Sequence, residues 1–172
     1  MLRAFGDAAA QLLAPQPEAI AELRAMLDDD WRSAAAELLA GSWRDQVTAA
    51  AAIALATTNA AAPDPRAAEW SPALWRAIDG ASWVAPQLVA AALLADADFE
   101  PRAAERLTDF TRRPPKTIGA LVRAYNRCAT RRMPVIAQLG VHDRTLQTEE
   151  ARIGVRGVDG WLDYFAAISR SS

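Results

Sequence analysis

Apolar side chains recur along this chain at spacings of three and four, and residues that start or stop helices stand between the apolar runs. That is the period of an amphipathic helix, whereas the strict alternation of a half-buried strand is nearly absent. Residues 2–13 predict a first helix that stops at Ala14-Pro15. Pro17 suits a first helical position, where its missing N–H costs nothing, and opens a helix to residue 27 with Ile20, Leu23 and Leu27 on one face. Asp30 is placed to cap a short helix over 31–40, which Gly41 closes. Ser42 with Asp45 three residues on predicts a capping-box start for a helix over 43–57. Asn59, two prolines and Asp64 mark residues 58–65 as a loop. A broken helix follows over 66–70 and 72–79, ending at Gly80, and Trp70 lies at the break. Ser82 is placed to cap a helix over 83–95, and Asp98 one over 99–112. Pro114-Pro115 turns the chain into a helix over 116–130, which ends before Pro134. The remaining pattern predicts a short helix at 135–139, an irregular stretch holding Gly140, Gly154, Gly157 and Gly160, and a last helix over 161–168.

Two of these segments echo each other. Gly41-Ser42-Trp43 leads into the apolar run 47–55, and Ala81-Ser82-Trp83 leads into the run 88–94. The tryptophans stand forty residues apart, and each is preceded by a shorter helix with its own Trp-Arg pair, Trp31-Arg32 and Trp75-Arg76. A third pair, 99–112 and 116–130, keeps the size without the tryptophan. On these residues the stretch 17–130 resembles HEAT-like repeat proteins. The resemblance implies an all-α fold of antiparallel helix pairs, over about 17–57, 65–95 and 99–130, stacked as a short superhelix with a concave binding surface. An irregular helical bundle is the alternative architecture for the same pattern.

Length and composition narrow this further. A chain of 172 residues suits a single domain over 1–172, with a less regular tail over 133–172. Much of the apolar share is alanine, which favours helices but buries little area, so the core depends on six Trp, four Phe and two Tyr. Trp43 and Trp83 are expected in that core, and Trp70 beside Pro72 is expected at the surface. No uninterrupted run approaches the ~18 apolar residues of a membrane span, and the start, with Arg3 and Asp7, lacks a cleavage pattern. The single Cys128 excludes a disulfide within the chain and reads as a small buried hydrophobe. These features predict a cytoplasmic protein, and one Lys against eighteen Arg is the codon usage of a GC-rich bacterium.

Little in the sequence carries chemistry. His142 is the only histidine, and although Asp143 adjoins it, no nucleophile is placed near the pair, so it reads as a surface or capping residue. One His and one Cys exclude a zinc site. Asp28-Asp29-Asp30 lacks the spaced oxygen ligands of a calcium loop, and Glu149-Glu150 reads as a solvated helix turn. Gly154, Gly157 and Gly160 follow no strand and precede no Lys-Ser/Thr, so they do not form a phosphate loop. The expectation is a non-catalytic chain with no cofactor and no metal.

Charge is distributed unevenly. Residues 1–100 carry six Arg against fourteen acids, and residues 101–132 carry nine basic side chains against two acids. Within the basic block Arg123, Arg127 and Arg131 recur every fourth residue and so share one helix face, with Arg112, Arg113, Lys116 and Arg132 at its ends. Three roles compete for that stripe: pairing with the acidic first half, docking of an acidic partner protein, or binding of nucleic acid phosphates. Helical-repeat DNA glycosylases show that stacked helix pairs can hold DNA, but no residue here matches their motif. The expectation is a binding module for a partner protein with an acidic surface, in the manner of small bacterial immunity or adaptor proteins. Arg112, Lys116, Arg123, Arg127, Arg131 and Trp70 are its candidate contacts, and no membrane or small-molecule cofactor is expected. Nucleic-acid binding is the alternative, and an enzyme of the glycosylase type comes third.

Overall fold

Alanine decides how closely these helices approach, and the described parts of the chain are helical with no strand among them. A computed structural model describes residues 9–27, 30–58, 66–108, 113–128 and 145–171. Its helices are α1 (Pro17–Ala25), α2 (Trp31–Leu38), α3 (Trp43–Thr58), α4 (Ser71–Asp79), α5 (Ala85–Ala95), α6 (Phe99–Thr108), α7 (Pro115–Cys128) and α8 (Glu149–Ser171). Short 3-10 segments, Ala9–Leu12 and Ala67–Glu69, precede α1 and α4. Each short helix packs on the longer one that follows it: α2 on α3, α4 on α5, α6 on α7. The longer helices also pack on one another in succession, α3 on α5 and α5 on α7. α3 is buried without a break from Val47 to Leu55, and α5 from Ala85 to Ala92. A helix apolar on every side belongs in the middle of a structure, and alanine lets neighbours come close on all of those sides. The gaps are filled by Trp31, Trp70, Trp75, Trp161, Phe99 and Phe165.

Local signals explain most helix starts. Ser42 donates to Asp45 Oδ2 both from its backbone N–H, at 2.8 Å, and from its hydroxyl, at 2.7 Å, so the third-position carboxylate closes the capping box. Pro17, Pro72, Pro86 and Pro115 all sit in first turns, where no N–H is missed. Two expected caps are absent. The Asp30 side chain makes no capping bond to α2. Ser82 does not cap a helix beginning at Trp83: its hydroxyl donates to Gln46 Oε1 on α3. Ala81 takes the left-handed φ of 58°, Ala85 N–H bonds back to the Ser82 carbonyl, and α5 starts only at Ala85.

The largest departure from expectation is α8, which runs unbroken through Gly154, Gly157 and Gly160. Glycine costs a helix about 1 kcal/mol relative to alanine, so three of them read as a turn. Their use here is close approach. A Cβ on Gly154 would lie 2.1 Å from the Lys116 carbonyl oxygen, and one on Gly119 would lie 2.2 Å from that of Ala151. A Cβ on Gly157 would meet the Pro86 ring at 2.7 Å. α8 thus lies against α7 backbone to backbone and packs also on α5 and α3. Its buried residues, Ala151, Gly154, Val158, Trp161, Leu162 and Phe165, recur at helical spacing.

Candidate docking cleft

α7 and α8 run side by side in the same direction. Gly119 faces Ala151 near their starts, and Arg123 and Arg127 face Asp159 and Asp163 further along, 36 residues on in each case. Arg123 Nε donates to Asp159 Oδ1 at 2.7 Å, and Arg127 Nη2 lies 3.2 Å from both Asp159 and Asp163. The hydrogen bond to Asp159 holds the Arg123 guanidinium above its ordinary pKa. The stripe is therefore paired internally, but by the tail and not by the acidic first half. That half answers other members of the basic block. Asp79 meets Arg106 at 2.8 Å and Arg113 at 3.0 Å, and the buried Asp96 meets Arg102 at 3.3 Å. Among the described residues of the block, Lys116 has no carboxylate within ion-pair distance.

Lys116 sits instead at the start of the seam, in the first turn of α7, where no acidic residue accompanies it. A cation there opposes the positive end of the helix dipole. Its Nζ donates to the Trp83 carbonyl at 2.6 Å and lies 4.7 Å from the centre of the Trp83 ring. Burial pushes its pKa below the ordinary lysine value, against a smaller opposing pull from Glu150. Trp83 itself is 60% exposed, a correction to its expected place in the core. One face meets the edge of Trp43, ring centres 5.6 Å apart, while Arg44 stacks over Trp43 at 4.6 Å. The forty-residue echo thus sets two tryptophans in contact at the starts of α3 and α5, and leaves the second one open.

Trp83, Lys116, Ile153 and Arg156 border a cleft of about 540 Å³. Gly157, Gly160 and Trp161 also line it, as do residues 13–16. Those residues are anchored from below: Trp161 Nε1 donates to the carbonyls of Leu12 and Leu13, at 3.0 and 3.3 Å, and Gln87 Nε2 donates to Leu13 at 3.1 Å. Gln87 is buried and also lines the cleft, and its Oε1 has no partner. Ile153, 42% exposed, and Trp83 are the large apolar side chains that remain well exposed among the described residues, and both border this one cleft. Arg156 pairs with the exposed Glu149 at 2.6 Å, which holds that carboxyl below its usual pKa.

Nothing comparable supports catalysis. The buried carboxylate of Asp96 is the obvious general-base candidate, but its oxygens already accept from Trp75 Nε1 at 2.6 Å, the Ser71 hydroxyl at 2.9 Å and the Asp98 N–H at 2.9 Å. It fastens α4, α5 and α6 together. No group of three or more metal-ligating side chains occurs among the described residues. No helix among them is long and apolar enough to cross a membrane.

Of the residues expected to bind a partner, Lys116 is at the cleft, Arg123 and Arg127 are paired along the seam, and Trp70 is fully buried and offers no surface. Trp70 precedes α4 directly, so its ring turns into the core at the helix start. Arg112, Arg131 and Arg132 lie outside the described residues, as do His142, the helix expected at 135–139 and most of the loop at 58–65. Trp83, Ile153 and Arg156 were not anticipated. Pro86 was the available signal for Trp83, because a helix that starts at Ala85 leaves residue 83 in the preceding turn. Comparison of the chain with protein-family models, with characterised proteins and with solved structures finds no match in any of the three.

Proposed function

We propose that this protein is a non-catalytic binding module that docks a segment of a partner protein in the cleft between Trp83 and Ile153. The observation that carries this is the convergence of those two exposed apolar side chains on one cleft. Tryptophan is a favoured interface anchor, and a ring already held by Trp43 and Lys116 loses little freedom on binding. The paired state of Arg123 and Arg127 moves the expected docking surface away from the middle of α7 and toward its start. In this reading the chain acts as an adaptor- or immunity-type protein of a bacterial cytoplasm, and it works by holding its partner. The test is capture of the partner on the immobilised chain, its identification and recombinant production, and calorimetric titration against variants. Trp83→Ala should weaken binding about tenfold or more, in line with the loss of a central aromatic anchor. The double variant Arg123→Gln/Arg127→Gln should bind nearly as the parent does. A partner that binds Trp83→Ala unchanged overturns the reading.

A further inference from the structure

We infer that the cleft takes an acidic peptide segment, one in which a large apolar residue stands next to a carboxylate. This rests on the docking reading above and names the chemistry of the docked segment. Trp83 and Ile153 provide apolar walls, and Gly157 and Gly160 leave the space beside them without side chains. A Cβ on Gly160 would meet nothing within 4 Å, so there is depth for an apolar side chain. The ammonium of Lys116 stands over the same tryptophan ring. An apolar group seated on Trp83 therefore brings its chain neighbours within reach of that charge.

Lys116 is unspent. An ammonium has three N–H donors, and within the described residues it gives one, to the Trp83 carbonyl. The second cation on the rim, Arg156, is held by Glu149, an exposed carboxylate that Arg152 also approaches at 4.0 Å. Exposed pairs of that kind are worth about 0–1 kcal/mol, so an incoming carboxylate can replace Glu149 at little cost. Glu150 acts on Lys116 from a distance and makes no ion pair with it. The first turns of α5 and α7 contain no acid, so their unpaired N–H groups add positive potential at this edge. A basic segment would meet Lys116 and Arg156 with like charge, and a neutral one would leave two ammonium donors to water. An acidic segment satisfies both.

Two capped peptides test this: acetyl-Gly-Glu-Leu-Phe-Glu-Gly-amide and its isostere with Gln in place of each Glu. Binding to the full chain is followed by the indole N–H signal of Trp83 in ¹H–¹⁵N spectra, assigned from the spectrum of Trp83→Phe. The acidic peptide should move that signal with about tenfold higher affinity than the isostere, the size expected for one charge-assisted hydrogen bond. Lys116→Gln should reduce the preference below about twofold without changing affinity for the isostere, and Lys116→Arg should keep most of it. Equal affinities for the two peptides overturn the acidic preference and leave the cleft as a docking site; so does a preference that survives Lys116→Gln. Failure of the docking reading has a different signature. Neither peptide then moves the Trp83 signal and the captured partner binds Trp83→Ala unchanged, which overturns both.

Discussion

At the far end of α7, Arg123 and Arg127 lie opposite Asp159 and Asp163, whereas at its start Lys116 lies over an exposed tryptophan with only a backbone carbonyl to receive its proton. The three cations belong to one helix and one run of basic sequence, and α8 passes all of them. The difference lies in what α8 presents at each level: carboxylates beside the arginines, and glycines and an isoleucine beside the lysine. The closed end needs nothing further. The open end leaves an ammonium, an indole ring and an apolar cleft without a counterpart in the described chain. A row of like charges therefore locates a helix face and does not locate function, because the facing element decides which charges are spent.

The comparison breaks most severely where both ends share a foundation. Gly154→Ala places a methyl group against the Lys116 carbonyl and must push α8 off α7, so urea unfolding should show a loss of about 3 kcal/mol, the upper end of overpacking costs. An unchanged stability would mean that the two helices do not touch as described. Next in size is the open end. Trp83→Ala should lose about 1.4 kcal/mol or more of partner binding while unfolding within about 1 kcal/mol of the parent, since the ring is mostly exposed. The closed end should behave in the opposite sense. Asp159→Asn removes a partner from both Arg123 and Arg127 and should cost about 1 kcal/mol of folding stability at low salt, less at high salt, with partner affinity unaffected. Smallest and opposite in sign is Gly160→Ala. Its Cβ meets nothing, so it should raise the melting temperature through a gain of roughly 0.5–1 kcal/mol in helix propensity. Together with Gly154→Ala it separates a glycine needed for contact from one that is merely tolerated.

Local signals were legible in the sequence, and long-range ones were not. The Ser42-Asp45 box, the prolines in first turns and the apolar runs of α3 and α5 act within a few residues, and the helices follow them. Gly154 and Gly157 are explained only by α7 and by Pro86, dozens of residues away, so a continuous helix read as a turn. The arginine stripe was visible, but its partners stand 36 residues further on, across a tail with no regular spacing to announce the pairing. Trp43 and Trp83 share one sequence signature and differ in exposure, because Pro86 delays α5 by two residues and leaves Trp83 in the turn before it. Trp70 erred the other way: the proline after it marked a helix start, and a helix start can face inward.

The central claim is that binding occurs at the open start of the α7–α8 seam. Hydrogen–deuterium exchange of the full chain, with and without its captured partner, tests it most directly. The account predicts new protection over residues 82–87 and 153–160 and none over 123–128. Protection centred on 123–128, with exchange at Trp83 and Ile153 unchanged, would contradict it.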